Sequence, residues 1–245
     1  MSVEGAGGSG VLVGRAPVPA GVRMLLVFGG TFDPPHRAHL ELPMAALAAC
    51  GGDWVLYVPA GRSPHKADGP RAGDADRVEM LRAGLEEIGA AGRASIGTLE
   101  LDRPGPSYTV ETLEALRGEI PAGCVMRLLI GADQARVFHS WREARRIIGL
   151  AEPLVMPREP LVSAGEVAGA LAASGAWSEG EVRAWESRVL ATVVMPAQAT
   201  DVRAGLANEG LDGAAARGLL SEGVRRVIRE RGLYGLGRPG GGGRP

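Results

Sequence analysis

Residues 23–28, Arg-Met-Leu-Leu-Val-Phe, form a short continuous apolar run that ends at Gly29-Gly30, and a stretch of helical period follows from His39. An apolar run without alternation is what a strand buried on both faces requires. Leu40, Met44 and Leu47 then recur at helical spacing until Gly51-Gly52 stops the helix. A strand with two buried faces needs cover above and below, so this junction restricts the chain to a layered α/β fold.

The alternation continues along the chain. Trp54 to Val58 reads as a strand, 59–73 as a Gly/Pro-rich loop, Ala75 to Ile88 as a helix and Ser95 to Leu99 as a weaker strand. A helix is expected from about Tyr108, capped by Ser107 or Thr109. Val125 to Ile130 is another buried run, followed by helical stretches through Ile148. Leu154 to Met156 and Val189 to Met195 are the last expected strands. Helices follow from Thr200 and from Ser221, whose side chain is a candidate cap beside Leu220. Residues 160–187, with Trp177 and Trp185 assigned to packing, fit the alternation poorly and read as a helical insertion. The pattern predicts a Rossmann-like, doubly wound parallel sheet with helices on both faces and a small C-terminal helical part. Ligands in such folds bind at the carboxyl ends of the strands.

Glycine and proline crowd the two ends, so residues 1–22 and 237–245 are expected to be flexible extensions around a domain at 23–236. The start lacks the basic residues and apolar run of a signal peptide, and no stretch reaches membrane-spanning length. Cys50 and Cys124 show no metal-ligand spacing and read as reduced thiols. These features predict a soluble cytoplasmic protein with no membrane partner. A formal charge of −1 and 4% aromatic residues exclude a general nucleic-acid binder, which needs a basic face or stacking platforms. Oligomeric state is left open, and a homo-oligomer is compatible with the sequence. Any anionic ligand must be held by a local cluster of donors.

The segment Gly29-Gly30-Thr31-Phe32-Asp33-Pro34-Pro35-His36-Arg37-Ala38-His39 supplies such a cluster at a strand-to-helix junction. Paired glycines let backbone amides approach a phosphate, and Thr31 adds a hydroxyl. Pro43 fits the first turn of a helix, where amides lack intrahelical partners, which puts the expected start near Ala38 to Leu40. His39 then lies at the positive end of the helix, and two imidazoles about one turn apart add directed donors. The chemistry implied is phosphoryl or nucleotidyl transfer. The bland alternatives are a capping or packing pair of histidines, or a zinc site lacking its remaining ligands. No dedicated metal cage is visible, and Asp33 reads as a loop-shaping residue beside Pro34-Pro35.

This segment resembles the nucleotidyltransferase signature, in which Gly-Gly-Thr-Phe-Asp-Pro leads into His-x-Gly-His. More narrowly, the chain resembles the bacterial nicotinate-nucleotide adenylyltransferases over about residues 24–236. Further matches follow in order: Pro64-His65-Lys66, Ser107-Tyr108-Thr109, Ile130-Gly131-Ala132-Asp133, Ser140-Trp141, Met156-Pro157-Arg158 and Arg231-Gly232-Leu233-Tyr234. Two motifs depart from the pattern. The glycine between the histidines is Ala38, and the late Ser-Ser-Thr-x-x-Arg motif reads Gln198-Ala199-Thr200-Asp201-Val202-Arg203.

The resemblance implies transfer of AMP from ATP to nicotinate mononucleotide, giving deamido-NAD and pyrophosphate, with Mg2+ carried by ATP. It implies catalytic roles for His36, His39 and Arg203. ATP would also meet Gly29, Gly30, Thr31, Lys66, Asp133 and Thr200. Tyr108, Thr109 and Trp141 would take the acceptor, with the helix-start amides on its carboxylate and the tryptophan on its pyridine ring. Bland readings stand beside these: Lys66 and Arg158 as surface charges, Asp133 and Thr109 as caps, Trp141 as core. An enzyme preferring nicotinamide mononucleotide, or a nucleotide-binding relative that has lost catalysis, are the alternatives. A phosphopantetheine adenylyltransferase usually carries threonine in place of His36 and is much shorter.

Overall fold

The computed structural model describes residues 10–61, 71–195 and 199–236. Lys66 and Gln198, the rest of loop 62–70 and the tail 237–245 lie outside these residues. Six strands form one sheet: β1 (Leu12–Gly14), β2 (Met24–Gly30), β3 (Trp54–Pro59), β4 (Ala94–Gly97), β5 (Val125–Gly131) and β6 (Glu152–Met156). Their spatial order is β1-β4-β3-β2-β5-β6, and every pairing is parallel. Each unbroken apolar run of the sequence alternates sides in the sheet. Leu25 and Val27 of β2 enter one core, while Leu26 and Phe28 enter the other. This is the doubly wound arrangement that the alternation predicts.

Helices α1 (Arg37–Cys50) and α2 (Asp74–Glu87) cover one face through Leu40, Leu47, Leu81 and Leu85. The other face is covered by α3 (Thr109–Glu119), α4 (Ala132–Val137), α5 (Ala144–Leu150), α6 (Ala164–Ala173) and α7 (Glu179–Glu186). The expected insertion at 160–187 is therefore α6 and α7, each opened by a serine capping box at Ser163 or Ser178. Trp177 and Trp185 pack edge-to-face 5.6 Å apart in this core. Three C-terminal helices, α8 (Ala199–Glu209), α9 (Ala214–Leu219) and α10 (Glu222–Arg231), pack on the outer side of α2 around Met80, Val202 and Val224. Ser221 caps α10 by accepting from the Val224 amide. No helix among the described residues is long and apolar enough to cross a membrane.

Four expectations are corrected. Residues 10–22 are not a loose extension: Leu12–Gly14 pairs with Ser95–Gly97 at the sheet edge, with Val11 buried. A β4 edge leaves backbone groups in need of partners, and a Val-Leu-Val run suffices to pair with it despite its glycine-rich surroundings. Val189 to Met195 is not a strand. One bridge joins Val155 to Val189, and then the Thr192 amide turns back to Leu190 O and carries the chain away, leaving Val193 65% exposed. Strand propensity there is overridden because the chain turns off β6 after this single bridge.

The third correction concerns α3, whose N-cap is Tyr108 and which receives no side-chain cap from Ser107 or Thr109. The fourth concerns α1, which begins at Arg37, so Pro43 lies in its second turn rather than its first. A proline there removes one intrahelical donor. The buried Tyr57 hydroxyl supplies a bond to the same stretch of backbone, donating to Leu40 O at 3.0 Å.

Candidate active site

The order of the strands locates the site. From β2 the chain winds outward through β3 and β4, then returns to lay β5 on the opposite side of β2. The loops leaving β2 and β5 therefore diverge, and a crevice opens at their carboxyl ends. A cleft of about 820 Å3 lies there, walled by the β2–α1 loop, the starts of α1 and α3, the β5–α4 junction and α8.

Gly29 and Gly30 end β2 on the cleft wall. Gly30 has no room for a side chain, since a Cβ would meet the Phe32 ring at 2.8 Å. Phe32 itself is buried with φ +49°, a left-handed conformation that bulky residues rarely adopt. The chain then passes through a cis Asp33–Pro34 bond into His36, the N-cap of α1. No acidic residue occupies the first turn of α1, so the positive end of the helix is not offset by a carboxylate of its own.

His36 and His39 stack with ring centroids 3.7 Å apart and planes at 18°. The His36 amide donates to His39 Nδ1 at 3.5 Å, which holds the second ring in place. His39 also meets the Phe32 ring edge-on at 5.2 Å. His36 is only 3% exposed, and its Nδ1 has no hydrogen-bond partner among the described residues. Burial, with a smaller contribution from the Arg158 charge, lowers its pKa from 6.5 to about 4. At neutral pH it is therefore an uncharged imidazole with one N–H to give.

Arg203 reaches the same loop from α8. Its Nη1 donates to Asp33 O at 2.7 Å and its Nη2 to Thr200 Oγ1 at 3.4 Å. Asp33 shapes the loop as its sequence position suggests: the buried carboxylate accepts from the Arg71 and Ala72 amides and from the Tyr234 hydroxyl. Past β5, Asp133 accepts from Gln134 Nε2 and lies 3.6 Å from Arg158. A Cβ on Gly131 would meet Asp133 Oδ1 at 2.5 Å, so any side chain there would displace that carboxylate.

Across the sheet, Tyr108 and Thr109 bring the uncapped start of α3 to the cleft. Trp141 stands beside it, stacked on Phe138 at 4.9 Å and half-buried. The Arg142 guanidinium lies 4.6 Å over the Tyr108 ring and is held by Glu111 at 3.0 Å. All of the site residues expected from sequence that fall within the described residues line this one cleft. Lys66 falls outside them.

Two contributors carry no sequence signal. Arg77 falls within the helix expected at Ala75 to Ile88 with nothing to single it out, yet it is wholly buried and bonds Thr31 O, Ala60 O and Asp74. Two of its three partners are backbone carbonyls, which no sequence pattern displays. Arg142 is equally anonymous, a single charge after a recognisable tryptophan. Arg158, by contrast, belongs to a motif that the resemblance picks out, with a surface charge as its bland reading, and it lines the cleft.

Comparison with known proteins fits this geometry. A cytidylyltransferase-like family model matches residues 27–203. A Chromobacterium violaceum protein named probable nicotinate-nucleotide adenylyltransferase is 33% identical over 219 residues, covering 85% of this chain and 97% of its own length. One of the same name from Bordetella avium is 36% identical over 211 residues, covering 85% and 96%. The chain belongs to the nicotinate-nucleotide adenylyltransferase family. Within the nicotinate-nucleotide adenylyltransferases its fold also matches a solved structure. The Plasmodium falciparum nicotinic acid mononucleotide adenylyltransferase complexed with NaAD superposes with a TM-score of 0.58 at 13% identity, over 88% of this chain and 98% of that one. The family's His-x-Gly-His glycine corresponds to Ala38, which is 7% exposed in the first turn of α1 and lines the cleft.

Proposed function

We propose that this protein transfers AMP from ATP to nicotinate mononucleotide, releasing pyrophosphate and forming deamido-NAD. The observation that carries the reading is that two helix N-termini from opposite faces of the sheet converge on one cleft. The first is α1 with its stacked His36 and His39; the second is α3 with Trp141 beside it. The first end suits a triphosphate and the second an anionic, flat heterocycle.

In this mechanism a phosphate oxygen of the mononucleotide attacks the α-phosphorus of ATP, in line with the departing pyrophosphate. That oxygen is already an anion, so no protein base is needed, and catalysis rests on positioning and on stabilising charge in the transition state. His36, uncharged at neutral pH, donates an N–H bond to phosphate oxygens near the reacting centre, and His39 donates beside it. Gly29, Gly30 and Thr31 offer a close backbone approach, Thr200 and Arg203 hold the leaving phosphates, and Asp133 lies on the nucleotide side. Lys66 is assigned to the same phosphates by resemblance. Amides at Tyr108 and Thr109 receive the nicotinate carboxylate while Trp141 stacks on the pyridine ring.

Mg2+ enters with the phosphates as part of the ATP substrate. Among the described residues no cluster of three or more His, Cys, Asp or Glu is placed to hold a metal ion. Both partners are small molecules, and Cys50 and Cys124, which are free thiols, suit the cytoplasm where ATP is made.

The test is pyrophosphate release with ATP and Mg2+, comparing nicotinate mononucleotide, nicotinamide mononucleotide and phosphopantetheine. Release is expected with the first, falling about 100-fold or more in His39→Ala. Preference for nicotinamide mononucleotide would replace the acceptor. ATP binding without release from any of the three would leave a nucleotide-binding relative without this chemistry.

A further inference from the structure

Four separate segments meet at Asp33. Its carboxylate, 4% exposed, accepts from the Arg71 amide at 2.8 Å, the Ala72 amide at 3.1 Å and the Tyr234 hydroxyl at 2.8 Å. Its backbone carbonyl accepts from Arg203 at 2.7 Å. Tyr234 lies only two residues from the end of the described chain, in a turn (Leu233–Gly235) that follows the left-handed cap Gly232. Its own φ is +59°, a strained conformation for an aromatic residue, held while the ring packs into the cluster that contains Val202 of α8.

The division of labour at Asp33 matters for charge. An arginine paired to a carboxylate has its charge largely cancelled, whereas one aimed by a neutral carbonyl keeps it for a ligand. Here the carboxylate is occupied by two amides and a hydroxyl, and Arg203 is oriented by the carbonyl of the same residue. We propose that Tyr234 is a positioning residue for the triphosphate: its hydroxyl keeps the Asp33 carboxylate engaged, so that Arg203 is aimed into the cleft with its charge available to phosphate. The C-terminal turn thereby braces a β2–α1 loop that lies 201 residues earlier in the chain. The inference rests on the reading of this cleft as the ATP site, but not on the identity of the acceptor.

The test is a double-mutant cycle on ATP affinity, measured calorimetrically with ATP and Mg2+ on the full chain: wild type, Tyr234→Phe, Arg203→Ala and the double variant. Phenylalanine keeps the ring and its packing, and melting temperatures confirm the fold. Tyr234→Phe is expected to weaken ATP binding roughly tenfold, the usual worth of a hydrogen bond to a charged group. In the Arg203→Ala background the same change should have little further effect. With turnover assayed, KM for ATP should rise while kcat changes less. Unchanged ATP affinity in folded Tyr234→Phe overturns the proposal, and so does an equal loss in both backgrounds, which would mark a merely structural contact. A protein whose ATP affinity follows the cycle yet makes no product from nicotinate mononucleotide supports the role of Tyr234 and refutes only the acceptor.

Discussion

Lowering the pH from 7 to 5 should destabilise this protein through His36 alone by an amount that can be worked out. The imidazole has a pKa of about 4 when folded, against 6.5 in the unfolded chain, chiefly because it is buried. Below pH 6.5 the unfolded chain gains a proton that the folded chain cannot hold until about pH 4. Stability is therefore intact at neutral pH and is lost as the pH falls through that window. The full difference is about 3 kcal/mol, of which about 2 kcal/mol is lost by pH 5. Urea unfolding of the wild type and of His36→Gln at both pH values isolates this share, since the other titrating groups are common to both proteins. The wild type should lose about 2 kcal/mol more than the variant. Parallel losses would refute the burial argument and with it the assignment of a neutral His36 at pH 7. Bound phosphate should oppose the effect, so ATP binding at pH 5 is expected to take up a proton.

Two further outcomes follow from the fold. Arg77→Met leaves Thr31 O and Ala60 O without their donor and should cost about 3 kcal/mol in chemical denaturation, with Arg77→Lys recovering only part because a point charge cannot span both carbonyls. Deleting residues 1–15 removes β1 and the burial of Val11, which should lower stability by about 2 kcal/mol while ATP affinity stays unchanged, because β1 lies at the far edge of the sheet from β2.

Runs such as Leu25–Phe28 and Leu128–Ile130 are apolar at every position because both faces of the sheet are covered, and that is why the parallel architecture is legible in the sequence. The β2–α1 junction is legible because glycines, a threonine and two histidines at a strand-to-helix junction combine close backbone approach with directed donors. What escaped detection was pairing geometry. Val189 to Met195 has strand composition, but composition does not register that the chain turns at Thr192. Leu12 to Gly14 has too few residues to stand out, and its strand exists only because β4 offers an open edge. Asp33 was recognisable as a shaper of its own loop, whereas its bond to Tyr234 joins positions separated by 201 residues and leaves no local trace. The same is true of Arg77, whose burial depends on where the loop carbonyls of Thr31 and Ala60 come to rest.

The two cores on opposite faces of the sheet carry a consequence for how such proteins diversify. In the proposed function the nucleotide half of the cleft falls to α1, supported from the core that contains Leu40 and Phe28, and the acceptor half falls to α3 and Trp141, supported from the core that contains Leu113 and Phe138. In that reading the strands between them act as a partition, so substitutions around Trp141 and Arg142 are expected to reshape what is adenylylated while leaving ATP affinity unchanged. Acceptor choice is thus a trait that selection, or an engineer, can alter on one side of the wall at a time.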